Sequence, residues 1–323
     1  MERVIAWLNT PLTEDGAFRL WMPAAACLLV IIIVLIVLLR KRKKRKDKGK
    51  EQETEQETEP VTEHPDIKPI LEIAKLQGLG KREEQQDAFG ASLLNNYESN
   101  GLLTVLCDGM GGMAEGGMIA SQVVADILDA FPWQGDNVPK EKIGAMSARV
   151  YRQFRGQGGT TLVAALVKDG NLSFWCVGDS DLFLLREGKI YALNMRQEYK
   201  NDLLLRAVEG AFPPEEAFAD HQAAALSEYI GKEQVICEQT RKPLLLLPED
   251  TLLLCSDGVS DTLTLAQLRE AMALPPAQCC GKLEQDILSA DMPNQDNYTA
   301  IAVRYHGKVM EEHKDGSEEE NIG

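Results

Sequence analysis

Histidine is scarce in this chain of 323 residues. Its 4 His (His64, His221, His306 and His313) are scattered, which argues against a histidine-built metal site. The 7 Cys include no Cys-x-x-Cys and no Cys/His ligand spacing. Cys27 lies in an apolar segment, Cys107, Cys176 and Cys255 lie inside strand-like runs, and Cys279 and Cys280 are adjacent. This pattern fits buried, reduced thiols in a cytosolic domain. Positive charge is also short: 34 Lys and Arg face 50 Asp and Glu, for a formal net charge of −16. That balance argues against a general nucleic-acid binder, since phosphate backbones attract Lys and Arg.

Apolar residues are plentiful, at 44%, enough for a sizeable core. Residues 21–39 are almost wholly apolar and are followed at once by Arg40-Lys41-Arg42-Lys43-Lys44-Arg45-Lys46. The length suits one crossing of a hydrocarbon core, and the basic block places the downstream chain on the cytoplasmic side. A cleaved signal peptide carries its positive charges before the apolar run, the reverse of the order here. The expectation is a single-pass cell-membrane protein, with residues 1–20 as a short extracytoplasmic segment and 21–39 as a transmembrane helix. Residues 40–67 are then a basic and afterwards acidic cytoplasmic linker, with a small Glu-rich repeat that cannot bury apolar surface. Residues 68–306 read as one folded domain, and 307–323 as a disordered tail.

The folded part is organised around Val105-Leu106-Cys107-Asp108-Gly109-Met110-Gly111-Gly112. An apolar run ends abruptly in Asp-Gly and then a glycine cluster. The shape recurs at Leu254-Cys255-Ser256-Asp257-Gly258, and Asp296-Asn297 precedes the apolar run 298–303. Each reads as a buried strand with a carboxylate at its end. One Asp-Gly alone is an ordinary turn. Several strand-end carboxylates that converge would suit hard divalent cations, which prefer oxygen ligands. Asp87 stands at another strand edge, and Arg82 nearby offers paired donors to an anion. As a lone Arg in a charged loop it would more often be solvated.

Strands are expected at 88–94, 102–107, 160–167, 172–177, 182–186, 233–241, 251–255 and 298–305. The turns 95–101, 168–171 and 178–180 join some of them. Helices are expected at 118–131, 140–154, 195–208, 215–229, 264–272 and 277–289. Hairpin-length connections in this order argue for an α+β fold with largely antiparallel sheets.

Six stretches, in order, resemble the metal-dependent protein phosphatase family (the type 2C class), in its bacterial Ser/Thr branch. They are Arg82 with Gln86-Asp87-Ala88, Asp108-Gly109-Met110-Gly111-Gly112, Gly158-Gly159-Thr160-Thr161, Val177-Gly178-Asp179-Ser180, Ser256-Asp257-Gly258-Val259-Ser260-Asp261 and Gln295-Asp296-Asn297-Tyr298-Thr299. The resemblance implies an αββα sandwich of two antiparallel sheets flanked by helices, here preceded by the transmembrane helix. It also implies two Mn²⁺ or Mg²⁺ ions, with a third, weaker one. Asp108 would bridge two ions and the Gly109 carbonyl would ligate one. Asp257 and Asp296 would hold the other, and Asp87 would act mostly through waters. Asp179 and Asp261 match positions linked to the third ion, and Arg82 matches the phosphate-binding arginine. Two cations lower the pKa of a water held between them and screen the phosphate during in-line attack.

Competing chemistries fail on residues. No Cys-x₅-Arg follows Cys107 or Cys255, and the glycine cluster lacks Gly-Lys-Ser/Thr. There are also departures from the family. Met110 replaces a histidine of many eukaryotic members, Met113 stands where bacterial members often have His, and Asp181 replaces the Arg of Gly-Asp-Ser-Arg. Asp181 is expected to bring negative charge toward the substrate groove. Residues 194–231 match the family's flap only loosely. The implied activity is hydrolysis of phosphoserine and phosphothreonine on cytoplasmic proteins, with a membrane Ser/Thr kinase as the natural partner. Two other readings stand beside it: a catalytically silent binder of phosphoproteins, and a phosphatase of an anti-sigma-factor antagonist. The complete set Asp87, Asp108, Asp257 and Asp296 favours catalysis over the silent binder.

Overall fold

A computed structural model describes residues 70–110, 115–133 and 138–307, all within the unit Ile67–Gly323. The apolar segment 21–39, the basic and acidic linker, Gly111, Gly112, Met113 and the tail from Lys308 lie outside the described residues. Among the described residues, no helix is long and apolar enough to cross a membrane.

The chain runs β1 (Leu71–Gly78), β2 (Asp87–Ala91), a 3₁₀ turn (Leu94–Asn96), α1 (Tyr97–Asn100), β3 (Leu102–Asp108), α2 (Gly116–Asp129) and α3 (Val138–Phe154). It continues with β4 (Leu162–Lys168), β5 (Asn171–Val177), β6 (Asp181–Arg186), β7 (Lys189–Ala192), α4 (Tyr199–Val208), α5 (Pro214–Ala219), β8 (Glu238–Gln239) and β9 (Leu244–Leu245). The last elements are β10 (Asp250–Cys255), α6 (Asp257–Ser260), α7 (Leu265–Met272), α8 (Pro276–Ala290) and β11 (Tyr298–Tyr305). Every pair among these strands is antiparallel. One sheet has the order β1-β11-β10-β6-β7 and the other β2-β3-β4-β5-β8, with β9 also on β5.

Burial explains why the central strands read as unbroken apolar runs. Successive side chains point to opposite faces of a sheet, and here both faces are covered. Leu102 and Leu106 of β3 join Leu252 and Leu254 of β10 and Ile301 and Val303 of β11 in a core between the sheets. Leu103, Val105 and Cys107 face the other way, onto Ile119 and Val123 of α2 and Ile143 of α3. Leu253, Cys255 and Ala300 face Leu268 of α7 and Leu283 of α8. The layers are therefore helix, sheet, sheet, helix. The six described cysteines are all buried and unpaired.

Several expectations need correction. Residues 95–101 are not a plain turn but contain the short helix α1. The helix expected at 195–208 begins at Tyr199, because Asn194 and Gln197 spend their side chains on the backbone of Ser180, Leu182 and Gly178. The helix expected at 215–229 stops at Ala219, where Asp220 Oδ1 accepts from Gln222 N, a local turn that competes with the helix. The strand expected at 233–241 shrinks to β8, since the Ile236 backbone bonds to the side chains of Glu228 and Gln197 rather than to a strand. Strands β1 and β7 go beyond the sequence expectation. β7 follows β6 through a two-residue turn, Glu187-Gly188, with both residues at positive φ. A Glu in that position gives no turn signal of the Asn-Gly kind.

Candidate active site

The register places the carboxylates at one end of the sandwich. Asp87 opens β2 directly opposite Asp108, which closes β3. Asp257 follows β10, Asp296 precedes the neighbouring β11, and Asp179 sits in the turn between β5 and β6. A cleft of about 140 Å³ is lined by Asp108, Asp179, Asp257 and Asp296 together with Arg82, Gly109, Met110 and Leu226. Asp87 is buried just behind it, 5% exposed.

The two sheets are stitched together beneath the cleft. Ser256 Oγ, fully buried at the end of β10, donates to Asp87 Oδ2 at 2.8 Å and accepts from Thr299 N at 3.0 Å. Asn297 Oδ1 accepts from Gln86 N at 2.8 Å, and its Nδ2 donates to Leu79 O at 2.8 Å. Thr160 and Thr161 fix Asp108: Thr160 Oγ1 donates to Asp108 O at 2.7 Å, and Asp108 N donates to Thr161 Oγ1 at 2.9 Å. Glycine is required beside Asp108, because a Cβ on Gly109 would lie 2.4 Å from the Gly116 backbone. The Asp-Gly read as a turn is therefore also a close crossing of strand end and helix start.

The crowding has an electrostatic signature. Burial, with Asp87, Asp257 and Asp179 beside it, holds the Asp108 carboxyl well above the usual carboxylate range. Burial pushes Asp179 up to about 7, aided by Asp257 and opposed by Arg196. Burial pushes Asp87 up to about 6, while the hydroxyls of Thr299 and Ser256 work the other way. Asp257 is raised by burial and by Asp261. Like charges close together in low dielectric favour protons or cations.

These residues fit hard divalent cations in their chemistry. The donors are all oxygen, and the buried Asp87 Oδ1 and Asp257 Oδ1 have no hydrogen-bond partner. They form no closed cage among themselves: among the described residues, no group of three or more His, Cys, Asp or Glu is arranged to enclose an ion. An ion such as Mg²⁺ that keeps several of its waters does not need such a cage. Asp296 is turned outward, its Oδ2 accepting from Arg82 Nη2 at 2.7 Å at the cleft mouth.

One sequence expectation changes here. Asp181 does not reach the groove. It is buried, 5% exposed, and bonded through both oxygens to Arg196 Nε at 3.1 Å. Its charge is neutralised where it stands. Asp261 lies outside the main cleft, with its Oδ1 accepting from Arg196 Nη1 at 2.6 Å. Arg196 and Leu226 join the site without any signal in the sequence. Both lie in the segment with the loosest motif match, and neither residue type stands out there.

Two antiparallel sheets between helix layers, with a carboxylate-lined cleft at the strand ends and an arginine at its mouth, define the class of fold and site. The chain belongs to the protein phosphatase 2C family, whose model matches residues 79–295. It is 31% identical over 215 residues to the serine/threonine protein phosphatase PstP of Mycobacterium tuberculosis, a match covering 62% of this chain and 39% of that protein. It is 26% identical over 250 residues to the protein phosphatase PhpP of Streptococcus pneumoniae, covering 73% and 91%. The solved catalytic domain of the phosphatase PstP in complex with two manganese ions superposes with a TM-score of 0.56 at 26% identity, covering 72% of this chain and 97% of that one.

Proposed function

We propose that this protein is a metal-dependent serine/threonine protein phosphatase, anchored in the cell membrane by residues 21–39, with a catalytic domain at 68–306 on the cytoplasmic side. The observation that carries the activity is the convergence of Asp108, Asp179, Asp257 and Asp296 on one cleft, with Asp87 buried behind it and Arg82 at its mouth, in a chain of this family. The anchor rests on the apolar run and the seven basic residues that come directly after it. Its substrates would be phosphorylated cytoplasmic proteins, and tethering would favour targets at the same membrane, a Ser/Thr kinase among them.

Asp108 and Asp257, with Asp87 behind them and Asp296 at the mouth, would hold two divalent ions, Mn²⁺ or Mg²⁺. Such ions supply an acidified water and charge compensation for an in-line displacement at phosphorus. The protein's own share is positioning. The threonine bonds and the Asp87–Asp108 register fix the carboxylates in the floor of the cleft. The Arg82 guanidinium, about half exposed, offers a planar fork to the substrate phosphate. Met110 lines the cleft and carries no titratable proton, so the leaving group is not protonated from that position.

The test is phosphate release by the full chain from a phosphothreonine peptide, with Mn²⁺, with Mg²⁺ and with chelator. Release should require metal and fall by at least about 10³-fold in Asp108→Asn. Metal-dependent release that survives Asp108→Asn would sink this reading.

A further inference from the structure

Arg196 is the most connected cation among the described residues, and the reaction outlined above does not use it. Its Nε bonds both oxygens of Asp181 at 3.1 Å, its Nη2 reaches Asp181 Oδ2 and Ser260 Oγ, each at 2.7 Å, and its Nη1 reaches Asp261 Oδ1 at 2.6 Å. Glu198 Oε1 lies 3.6 Å from Nη1, and Lys200 pairs with the other side of that carboxylate. Ser260 Oγ also donates to Asp181 Oδ2 at 2.6 Å. The Arg196 carbonyl accepts from Asn201 Nδ2 at 2.6 Å, which fixes its backbone to the start of α4.

One guanidinium thus joins three elements: the start of β6, the end of α6 and the loop entering α4. Two of them carry cleft carboxylates close by in sequence, Asp179 two residues before Asp181 and Asp257 four before Asp261. The resemblance assigns Asp179 and Asp261 to a third, weaker ion. The geometry at Asp261 argues against that assignment, because the Arg196 guanidinium holds its Oδ1 at 2.6 Å and its positive charge repels a cation that would draw on the same carboxylate. Asp181 and Arg196 are also unusual together: the buried acid needs a partner, and the guanidinium supplies it with paired bonds.

We propose that Arg196 takes the place of the third ion, so that this protein holds two divalent cations and uses Arg196 as a built-in positioning residue on the Asp179–Asp261 side of the cleft. The inference rests on the metal-dependent reading above and narrows it. Arg196 offsets the buried charge of Asp181, ties down Asp261 and fixes the loop entering α4 against α6. Asp261 is then a ligand of Arg196 and not of a metal.

The experiment is Mn²⁺ titration of the full chain in detergent by calorimetry, with Asp261→Asn and with the double variant Arg196→Met/Asp181→Asn. The wild type should bind two ions. Asp261→Asn, altered at an exposed side chain, should also bind two, with affinities within about twofold of the wild type. The double variant, which removes the guanidinium together with the buried charge it serves, should gain one further, weaker ion through the released Asp261. Three ions in the wild type, loss of an ion in Asp261→Asn, or two ions in a folded double variant would each overturn the inference while leaving the two-metal reading intact. A wild type that binds no Mn²⁺ would overturn both.

Discussion

Ser256 shows how much of the site depends on single side chains outside the acidic set. Its hydroxyl is the hydrogen-bonding link between Asp87 on one sheet and the Thr299 backbone on the other. Ser256→Ala leaves a buried carboxylate oxygen and a buried N–H without partners. We expect a loss of about 1–3 kcal/mol, read as a lower urea midpoint, together with weaker Mn²⁺ binding because Asp87 is no longer aimed. An unchanged midpoint and unchanged affinity would refute this account of the sheet junction. Gly258 makes the same point sterically. A Cβ there would lie 2.0 Å from Asn297 O, so Gly258→Ala should push the Asp296-Asn297 turn away from Asp257. The readout is a reduced Mn²⁺ affinity, with the far end of the sandwich unperturbed.

Among the elements, β6 carries an arginine–aspartate pair at each end: Arg186 binds Asp250 of β10 at the remote end, and Asp181 binds Arg196 of the loop entering α4 at the cleft end. At the remote end Arg186 Nε bonds both oxygens of Asp250, at 3.0 and 3.1 Å, and its Nη2 donates to Leu245 O at 2.8 Å. Asp250 is 2% exposed, so removing its partner strands a buried charge. Arg186→Met should cost about 3 kcal/mol in chemical denaturation yet leave Mn²⁺ affinity unchanged, since the pair lies at the opposite end of β10 from Asp257. A loss of metal binding without a loss of stability would contradict it. The elements legible in sequence are the ones with two covered faces, such as β3, β10 and β11, or with a clear apolar stripe, such as α2 and α8. Those that escape it are edge strands and the stretch between α5 and β8. There, side chains such as Glu228 and Asp220 satisfy the backbone, and periodicity carries no information.

At the scale of the whole molecule, the acidic cleft links protonation, metal and stability. Asp87 and Asp179 are pushed up to about 6 and about 7, above the ordinary aspartate value of 3.8, so the metal-free folded chain binds more protons than the unfolded one between those limits. Their contribution to stability is therefore present below about pH 4 and lost as pH rises through 6 to 7. Without divalent ions, thermal stability should fall from about pH 5 to about pH 8. With saturating Mn²⁺ the trend should reverse, because the ion replaces the protons and binds more tightly as they leave. Unfolding scans in chelator and in Mn²⁺ at both pH values check this. Parallel curves in the two conditions would mean that the raised carboxylates are not the metal site.

The sequence by itself determined that apolar strands end in carboxylates, that these carboxylates recur in a family order, and that the fold is antiparallel α+β. Those features are local: an Asp-Gly after a buried run is visible in a handful of residues. Only the tertiary structure decided how charge is distributed around the cleft. Asp181, which in sequence sets a negative charge beside the substrate groove, is buried and paired with an arginine 15 residues further on. Asp261 is claimed by the same guanidinium. Such pairing depends on where a loop returns to the sandwich, and the electrostatic cost of a buried carboxylate selects whichever cation that return brings within reach.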